Sequence, residues 1–90
     1  MAANSSLIEF YGIECKHCND MKPLVEQIER ELGTEFTKLE VWHNQKNLEK
    51  LQQLDQGRCG GVPFFINTTT GKFICGSTTP DKLKAWALGK

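Results

Sequence analysis

Residues 15–32 carry apolar side chains at the spacing of an α-helix, and a short apolar run lies just before them. The helical positions recur at steps of three and four residues and are Met21, Leu24, Val25, Ile28 and Leu32. Gly33 follows the last of them and predicts the end of the helix. Pro23 lies inside the pattern and predicts a bend, because proline removes a backbone hydrogen-bond donor. Residues 7–11 predict a buried strand that ends at Gly12.

Strand and helix patterns continue to alternate along the rest of the chain. Residues 36–42 predict a second strand, and a second helix ended by Gly57 is predicted by Leu48, Leu51 and Leu54. Residues 62–66 and 72–75 predict two further strands joined by a hairpin-like link. Residues 79–81 open a last helix, whose apolar face is Leu83, Trp86 and Ala87.

The predicted element order is therefore β-α-β-α-β-β-α. Helical crossovers allow the first three strands to be parallel, whereas the hairpin makes the fourth strand antiparallel. We expect an α/β fold in which a central four-stranded mixed sheet has helices on both faces. Ninety residues suffice for one core but not two, so we expect a single domain over 1–90, with its core at about 7–88.

Charge and hydropathy exclude several classes of partner. The 11 basic and 11 acidic residues give a formal net charge of zero, so neither nucleic acid nor an anionic membrane is favoured as a partner. No apolar run approaches the roughly 20 residues that span a bilayer. The first residues lack the basic and apolar regions of a secretory signal. We therefore expect a cytoplasmic protein, or an organellar one if a targeting segment has been removed.

The four cysteines allow more than one interpretation. A secreted scaffold with two disulfides is one, but the close pair at Cys15 and Cys18 and the regular periodic core favour a reducing intracellular compartment. A zinc site would need a second close pair, whereas Cys59 and Cys75 are isolated in the sequence. A metal cluster bridged between two subunits is a further alternative for the close pair.

The motif Cys15-Lys16-His17-Cys18 lies where the first helix is predicted to begin. Unpaired backbone N–H groups and the positive end of the helix dipole stabilise a thiolate there. We expect Cys15 to be the exposed nucleophile and Cys18, one turn further, to be the resolving thiol of a short disulfide. Lys16 and His17 are both potential cations beside the sulfur, so they favour the dithiol state and should raise the reduction potential.

Glu9 is an acidic residue in the middle of the first predicted strand, six residues before Cys15. A carboxylate there is unfavourable unless it has a role or a partner. Burial should raise the pKa of Glu9, which suits a base that accepts the proton of Cys18. Lys38, on the neighbouring strand, is a candidate partner. The alternative is an ion-paired strand residue without a role in proton transfer.

The segment Gly61-Val62-Pro63 precedes a predicted central strand, and a proline at this position indicates a special backbone. A cis Val62–Pro63 bond would leave the backbone groups of Val62 facing the cysteines, where they can bind an extended substrate. We expect this segment, the helix start and the turn at Gly76 to form the substrate groove.

The remaining cysteines, the two tryptophans and residues 43–45 are not assigned to the redox site. We expect Cys59 to be a loop cysteine without a role, with a regulatory or glutathionylated thiol as the alternative, and Cys75 to be a core thiol. Trp42 and Trp86 are interpreted as packing residues. Residues 43–45 are assigned no chemistry.

Together these features resemble the thioredoxin superfamily. The stretch 8–12, the cysteine motif and Met21-Lys22-Pro23 are similar to the active-site segment of thioredoxins and protein disulfide isomerases. Val62-Pro63 matches the cis-proline signature of the superfamily, and the glycines of its last hairpin are matched by Gly71 and Gly76.

Individual positions resemble different branches of the superfamily. Glu9 and His17 are similar to the isomerase pattern, and Lys38 to the lysine of thioredoxins. Glu14 stands where the family usually has an aromatic residue. The chain has the smaller size of glutaredoxins.

The resemblance implies a thioredoxin fold and a thiol–disulfide oxidoreductase that reduces or exchanges protein disulfides. It implies disulfide-containing protein substrates, a reductase or glutathione as electron donor, a monomer, and no metal or organic cofactor. Residues 76–81 loosely resemble the turn that holds glutathione in glutaredoxins, so a glutathione-dependent glutaredoxin-like enzyme is the first alternative. A redox-regulated binding module without enzyme activity is the second.

Overall fold

The computed structural model describes residues 3–90, and side chains from residue 4 onward. Within that range, four strands and three helices follow one another in the predicted order. They are β1 Ala3–Tyr11, α1 Lys16–Leu32, β2 Glu35–Glu40, α2 Gln45–Asp55, β3 Phe64–Asn67, β4 Phe73–Cys75 and α3 Pro80–Ala87. The chain therefore has the expected α/β class.

The four strands form one mixed sheet in the order β2-β1-β3-β4. β1 is parallel to β2, and β4 is antiparallel to β3, as expected. The expectation that β3 is also parallel to β1 is wrong. Phe64, at the start of β3, pairs with Phe10 near the end of β1. Residues 56–63, which follow the short helix α2, bring the chain back to the carboxyl end of β1, so β3 runs in the opposite direction.

Local capping groups set the ends of the first two helices. Cys15 is the N-cap of α1, and Gly33 ends α1 in the left-handed region at φ +66°. Pro23 lies inside α1, as predicted. α2 ends two residues before the expected Gly57, because Gln56 already adopts a left-handed φ of +54° and donates its N–H to Gln52.

Alternating strand residues build a hydrophobic core on each face of the sheet. One core combines strand residues with α1 and α3 and contains Leu7, Met21, Val25, Ile28, Phe36, Phe65, Leu83 and Trp86. The other involves α2 and contains Ile8, Phe10, Val41, Leu51, Phe64 and Ile66. Helices therefore cover both faces, as expected.

The two tryptophans differ in their surroundings. Trp86 is buried in the first core, as predicted, whereas Trp42 is 52% exposed. Trp42 lies beyond the end of β2, which stops at Glu40 rather than continuing to residue 42. The ring covers Gly12, where an added Cβ would collide with it. Trp42 thus packs against the chain just before the cysteine motif and leaves about half of its surface in solvent.

Helix length and polarity bear on membrane association. In the part of the chain that the structure describes, no helix is long and apolar enough to cross a membrane.

Candidate redox site

Cys15 and Cys18 form a disulfide at the start of α1, with their Cα atoms 5.2 Å apart. As the N-cap of the helix, Cys15 also accepts a hydrogen bond through its Sγ from the Cys18 N–H at 3.2 Å. Because this N–H donates to the sulfur at the positive end of the helix dipole, a negative charge on Cys15 is stabilised by its position. The arrangement is therefore chemically suited to both a disulfide and a reactive thiolate.

The two sulfurs are less accessible than the sequence analysis expected. Cys15 is 5% exposed and Cys18 is 1% exposed. The expectation of an exposed Cys15 is wrong, because its Sγ lies 3.9 Å from the Val62 carbonyl oxygen and its N–H closes a turn onto the Gly12 carbonyl at 3.1 Å. Cys15 is nevertheless the more accessible of the pair.

Lys16 and His17 lie on the exposed side of the first helical turn. The Lys16 ammonium is 3.5 Å from the carboxylate of Asp20, and both side chains are largely exposed. A surface pair of this kind contributes little to stability, but it places a negative charge near Lys16. The proposed tuning of the cysteine pair by Lys16 and His17 stays a prediction.

Glu9 lies in the middle of β1 and is 4% exposed. Burial raises the pKa of Glu9 to about 7, and the nearby positive charge of Lys38 only partly opposes this effect. Glu9 and Cys18 line the same cavity of about 260 Å³. The buried carboxyl is thus placed beside the inner cysteine, as the sequence suggested, with a pKa suited to proton exchange near neutral pH.

Lys38 lies directly opposite Glu9 in the β1–β2 register. Its ammonium is 2.7 Å from the carboxylate of Glu29 on α1, so the ion pair that it forms is with Glu29 rather than with the expected Glu9. Glu29 also accepts the Phe36 N–H at 2.8 Å. Glu29 is not recognisable as this partner from the sequence, because only the packing of α1 on β2 brings it to Lys38.

The Val62–Pro63 peptide bond is cis, as predicted. The Val62 carbonyl oxygen faces Cys15, and the Pro63 carbonyl accepts the Gly76 N–H at 2.8 Å. Gly76 adopts a φ of +85°, which a side chain would disfavour. Val62 therefore contacts Cys15, and Pro63 contacts Gly76, as expected for a groove. Gly61 precedes them on an exposed loop.

Asp55, at the end of α2, is a buried carboxylate that the sequence analysis did not identify. It is 5% exposed, and its two oxygens accept the N–H groups of Cys59 at 2.7 Å and Gly60 at 2.8 Å. This side chain thus holds the loop that leads to Val62. An aspartate at a helix end before a glycine-rich loop is the signal that would have identified it.

Cys59 and Cys75 form a second disulfide, with their Cα atoms 5.5 Å apart. Cys75 is exposed, so the expectation of a core thiol is wrong. Cys59 lies in a loop, as expected, but it is half-buried and bonded to Cys75. Two features of the fold explain this result. Cys75 lies on the edge strand β4, and its register partner is Phe64, which directly follows the loop that contains Cys59.

A polar cluster connects the loop before Cys15 to the loop before α2. His43 Nε2 is 2.7 Å from one carboxylate oxygen of Glu14, and this hydrogen bond raises the pKa of His43. The Glu40 carboxylate accepts the N–H groups of Ile13 at 3.0 Å and His43 at 2.7 Å. Residues 43–45 were assigned no chemistry, yet His43 helps to fix the cysteine loop.

The same cluster is the one group of potential metal ligands found within residues 3–90. Glu14, Glu40 and His43 each offer a ligand atom, and these atoms lie within 4.8 Å of one another. They are already engaged in the hydrogen bonds and the ion pair of the cluster, and no cysteine belongs to it.

Comparisons with known proteins do not identify a relative. No known protein family matches the chain, and no curated protein shows significant sequence similarity to it. The geometry of the two cysteine pairs and of their neighbours is therefore the basis for a functional assignment.

Proposed function

We propose that the protein is a thiol–disulfide oxidoreductase with a thioredoxin fold, and that Cys15 and Cys18 are its redox pair. The observation that carries the proposal is a disulfide at a helix N-terminus whose inner cysteine shares a cavity with the buried Glu9. A structural disulfide needs neither the helix N-terminus nor a carboxyl with a pKa near neutrality. A pair that cycles between thiols and disulfide uses both.

The reaction begins with the reduced pair. The Cys15 thiolate attacks one sulfur of a substrate disulfide, and the other substrate sulfur leaves as a thiolate. Cys18 then attacks Cys15, which forms the Cys15–Cys18 disulfide and releases the second substrate sulfur. Two electrons pass from the cysteine pair to the substrate, and a reductase or glutathione restores the dithiol.

Glu9 is the proposed proton acceptor for Cys18. Cys18 must lose its proton before it can attack the mixed disulfide, and its near-complete burial keeps bulk water away from the sulfur. A carboxyl with a pKa of about 7 in the same cavity can accept that proton and return it in the reverse reaction. Lys38 acts on Glu9 through its charge, while its direct ion pair is with Glu29.

The proposed substrate is an extended protein segment that contains a disulfide. The Val62 carbonyl lies beside Cys15, where it can accept a hydrogen bond from a substrate backbone N–H. Ile13 and Trp42, 58% and 52% exposed, lie next to the cysteine loop and offer apolar contact area. The strand order and the placement of helices on both sheet faces support the proposed fold.

Turnover of a fluorescent disulfide-linked peptide tests this proposal, with either dithiothreitol or glutathione as the reductant. We expect the wild type to cleave the peptide catalytically. Cys18→Ser should accumulate a mixed disulfide between Cys15 and the peptide, visible by mass spectrometry, whereas Cys15→Ser should not.

Lys50→Ala, on the exposed side of α2, is the control for the cysteine variants. A wild type that oxidises reversibly but turns over no disulfide with either reductant would contradict the proposal and indicate a binding module. Turnover with glutathione alone would identify the glutaredoxin-like form of the activity.

A further inference from the structure

The loop that positions Val62 is held by two separate anchors. The first is the buried Asp55 carboxylate, which binds the backbone N–H groups of Cys59 and Gly60. The second is the covalent bond from Cys59 to Cys75 on β4. The first anchor is a pair of hydrogen bonds within one local segment, whereas the second joins the loop to the edge of the sheet and depends on the redox state.

The second disulfide is close to the proposed active site along the backbone. Cys75 is the register partner of Phe64, and the next residue, Gly76, donates its N–H to the Pro63 carbonyl. Cys59 is three residues before Val62, whose carbonyl is 3.9 Å from the Cys15 sulfur. The Cys59–Cys75 bond therefore closes a ring of chain around the segment that contacts Cys15.

The two residues of the second disulfide differ in exposure, since Cys59 is half-buried against the second core. Cys75 is exposed on β4, and neither hydrophobic core includes it. Thiol–disulfide exchange requires that an attacking thiolate can reach one of the two sulfurs, and an exposed position on an edge strand allows this. The guanidinium of Arg58, the residue next to Cys59, lies 4.2 Å from the ring centre of Phe73 on the same strand as Cys75. This positive charge favours the approach of an anionic thiol such as glutathione.

We infer that Cys59 and Cys75 form a second redox site, opened and closed by glutathione, which sets how firmly residues 57–63 are held against Cys15. The exchange at the second site stands on its own geometry. Its effect on catalysis rests on the proposed function of Cys15 and Cys18.

The exchange proceeds in two steps. A glutathione thiolate attacks the sulfur of Cys75, the more exposed residue of the pair, the bond to Cys59 breaks, and Cys59 leaves as a thiolate that takes up a proton. A second glutathione thiolate attacks the glutathione sulfur of the mixed disulfide, which forms glutathione disulfide and releases Cys75 as a thiol. Two glutathione molecules are oxidised, and the cysteine pair gains two electrons and two protons.

Opening the second disulfide should change the surroundings of Cys15. With the bond intact, the Val62 carbonyl lies against the Cys15 sulfur, which is almost fully buried. With the bond open, residues 57–63 keep the Asp55 anchor, the contact of Arg58 with Phe73 and the Pro63–Gly76 hydrogen bond, but they lose their covalent link to β4, so Cys15 becomes more accessible. The second site thus adjusts access to the first without contributing a reacting atom.

The exchange is tested in the variant Cys15→Ser/Cys18→Ser, which retains only the second pair. The protein is equilibrated with glutathione at graded ratios of thiol to disulfide, then alkylated and mapped by mass spectrometry, while circular dichroism monitors the fold. We expect a reversible change from the disulfide to two thiols in a protein that stays folded. A disulfide that never forms, or that opens only when the protein unfolds, would overturn the inference.

The order of attack has its own test in the same background. Further replacement of Cys59 by serine makes Cys75 the only cysteine, and replacement of Cys75 instead makes Cys59 the only cysteine. With glutathione disulfide, the exposed Cys75 should form its adduct several-fold faster than the half-buried Cys59. Equal rates, or a faster Cys59, would contradict the assigned point of entry.

The effect on the first site is measured without substrate turnover, so that it does not depend on the proposed activity. Cys18→Ser leaves Cys15 as a free thiol, and the second disulfide of this variant is verified by peptide mapping. Adding Cys59→Ser/Cys75→Ser should raise the alkylation rate of Cys15 by about threefold or more. Unchanged alkylation would overturn the coupling between the sites. Failed peptide turnover with accelerated alkylation would instead contradict only the proposed function.

Discussion

The two disulfides of this protein have different surroundings and different origins in the sequence. Cys15–Cys18 joins residues three apart and lies buried at a helix N-terminus, beside a cavity that contains Glu9. Cys59–Cys75 joins residues 16 apart and connects a loop to an exposed edge strand. The first pair is brought together by local helix geometry, which places it where a reactive thiolate is stabilised. The second pair is brought together only when the sheet has formed, and it fixes the position of a loop.

Replacing the nucleophile should give the largest difference between the two pairs. Cys15→Ser should lower turnover of a peptide disulfide by more than about 1,000-fold, because the attacking sulfur is lost. Cys59→Ser/Cys75→Ser should change turnover by less than about tenfold, because it alters only the position of the loop. Steady-state assays with dithiothreitol measure both. Equal losses would remove the distinction between a catalytic pair and a controlling pair.

The buried carboxyl beside the first pair should make stability depend on pH. The pKa of Glu9 is raised from 4.5 to about 7 in the folded protein, so the folded state holds a proton that the unfolded chain releases. The contribution of protonated Glu9 to the unfolding free energy is therefore complete below pH 4.5. It falls by about 3 kcal/mol as the pH rises to about 7.

Glu9→Gln is the matched variant for this effect, since glutamine is similar in size and has no proton to release. Urea unfolding across the same pH range should show the slope in the wild type and lose most of it in the variant. The same dependence of the unfolding free energy on pH in the wild type and in the variant would show that the pKa of Glu9 is not raised. In that case the proposed proton transfer to Glu9 would lose its support.

The two pairs should also differ in their contributions to stability. Loop closure over a separation of 16 residues predicts that loss of Cys59–Cys75 lowers the unfolding free energy by about 3 kcal/mol. Closure over three residues predicts about 2 kcal/mol for Cys15–Cys18. Urea denaturation of the two double serine variants under oxidising conditions measures this difference. A larger loss from the first pair would reverse the comparison.

The smallest effect concerns Lys16 and His17, between the first two cysteines. Lys16→Gln/His17→Gln should lower the reduction potential of Cys15–Cys18 by about 30 mV, because the positive charge of Lys16 and the polar imidazole of His17 beside the thiolate are lost. The potential of Cys59–Cys75 in the same protein serves as the internal control and should not move. A shift of both potentials together would indicate a change of fold rather than local tuning.

Local patterns in the sequence predicted much of the fold. The helix period of residues 15–32, with Gly33 after it, matched α1 to within one residue, and the element order was correct. The burial of Glu9 and the cis Val62–Pro63 bond were also predicted. The helix period, the glycine that ends it and the element order depend on neighbours in the chain, so the sequence contains that information directly. The cis bond was predicted from the proline before the strand and from the resemblance to the thioredoxin superfamily.

Apart from small shifts in the ends of β2 and α2, the errors concern contacts between distant segments. The direction of β3 depends on where residues 56–63 return to the sheet, and the pairing of Cys59 with Cys75 follows from that return. Lys38 forms its ion pair with Glu29 because α1 packs across β2. Apolar periodicity shows which face of an element is buried, but it does not show which partner covers that face.

Equilibration of the wild type with graded glutathione, followed by alkylation and mapping of each cysteine, tests the central claim most directly. The helix N-terminus, Lys16 and His17 favour the reduced form of the first pair, and loop closure favours the oxidised form of the second. We therefore expect two separate transitions, with Cys15–Cys18 opening under less reducing conditions than Cys59–Cys75. The account would be contradicted if Cys15 and Cys18 formed no disulfide at any ratio, or if Cys59–Cys75 opened first.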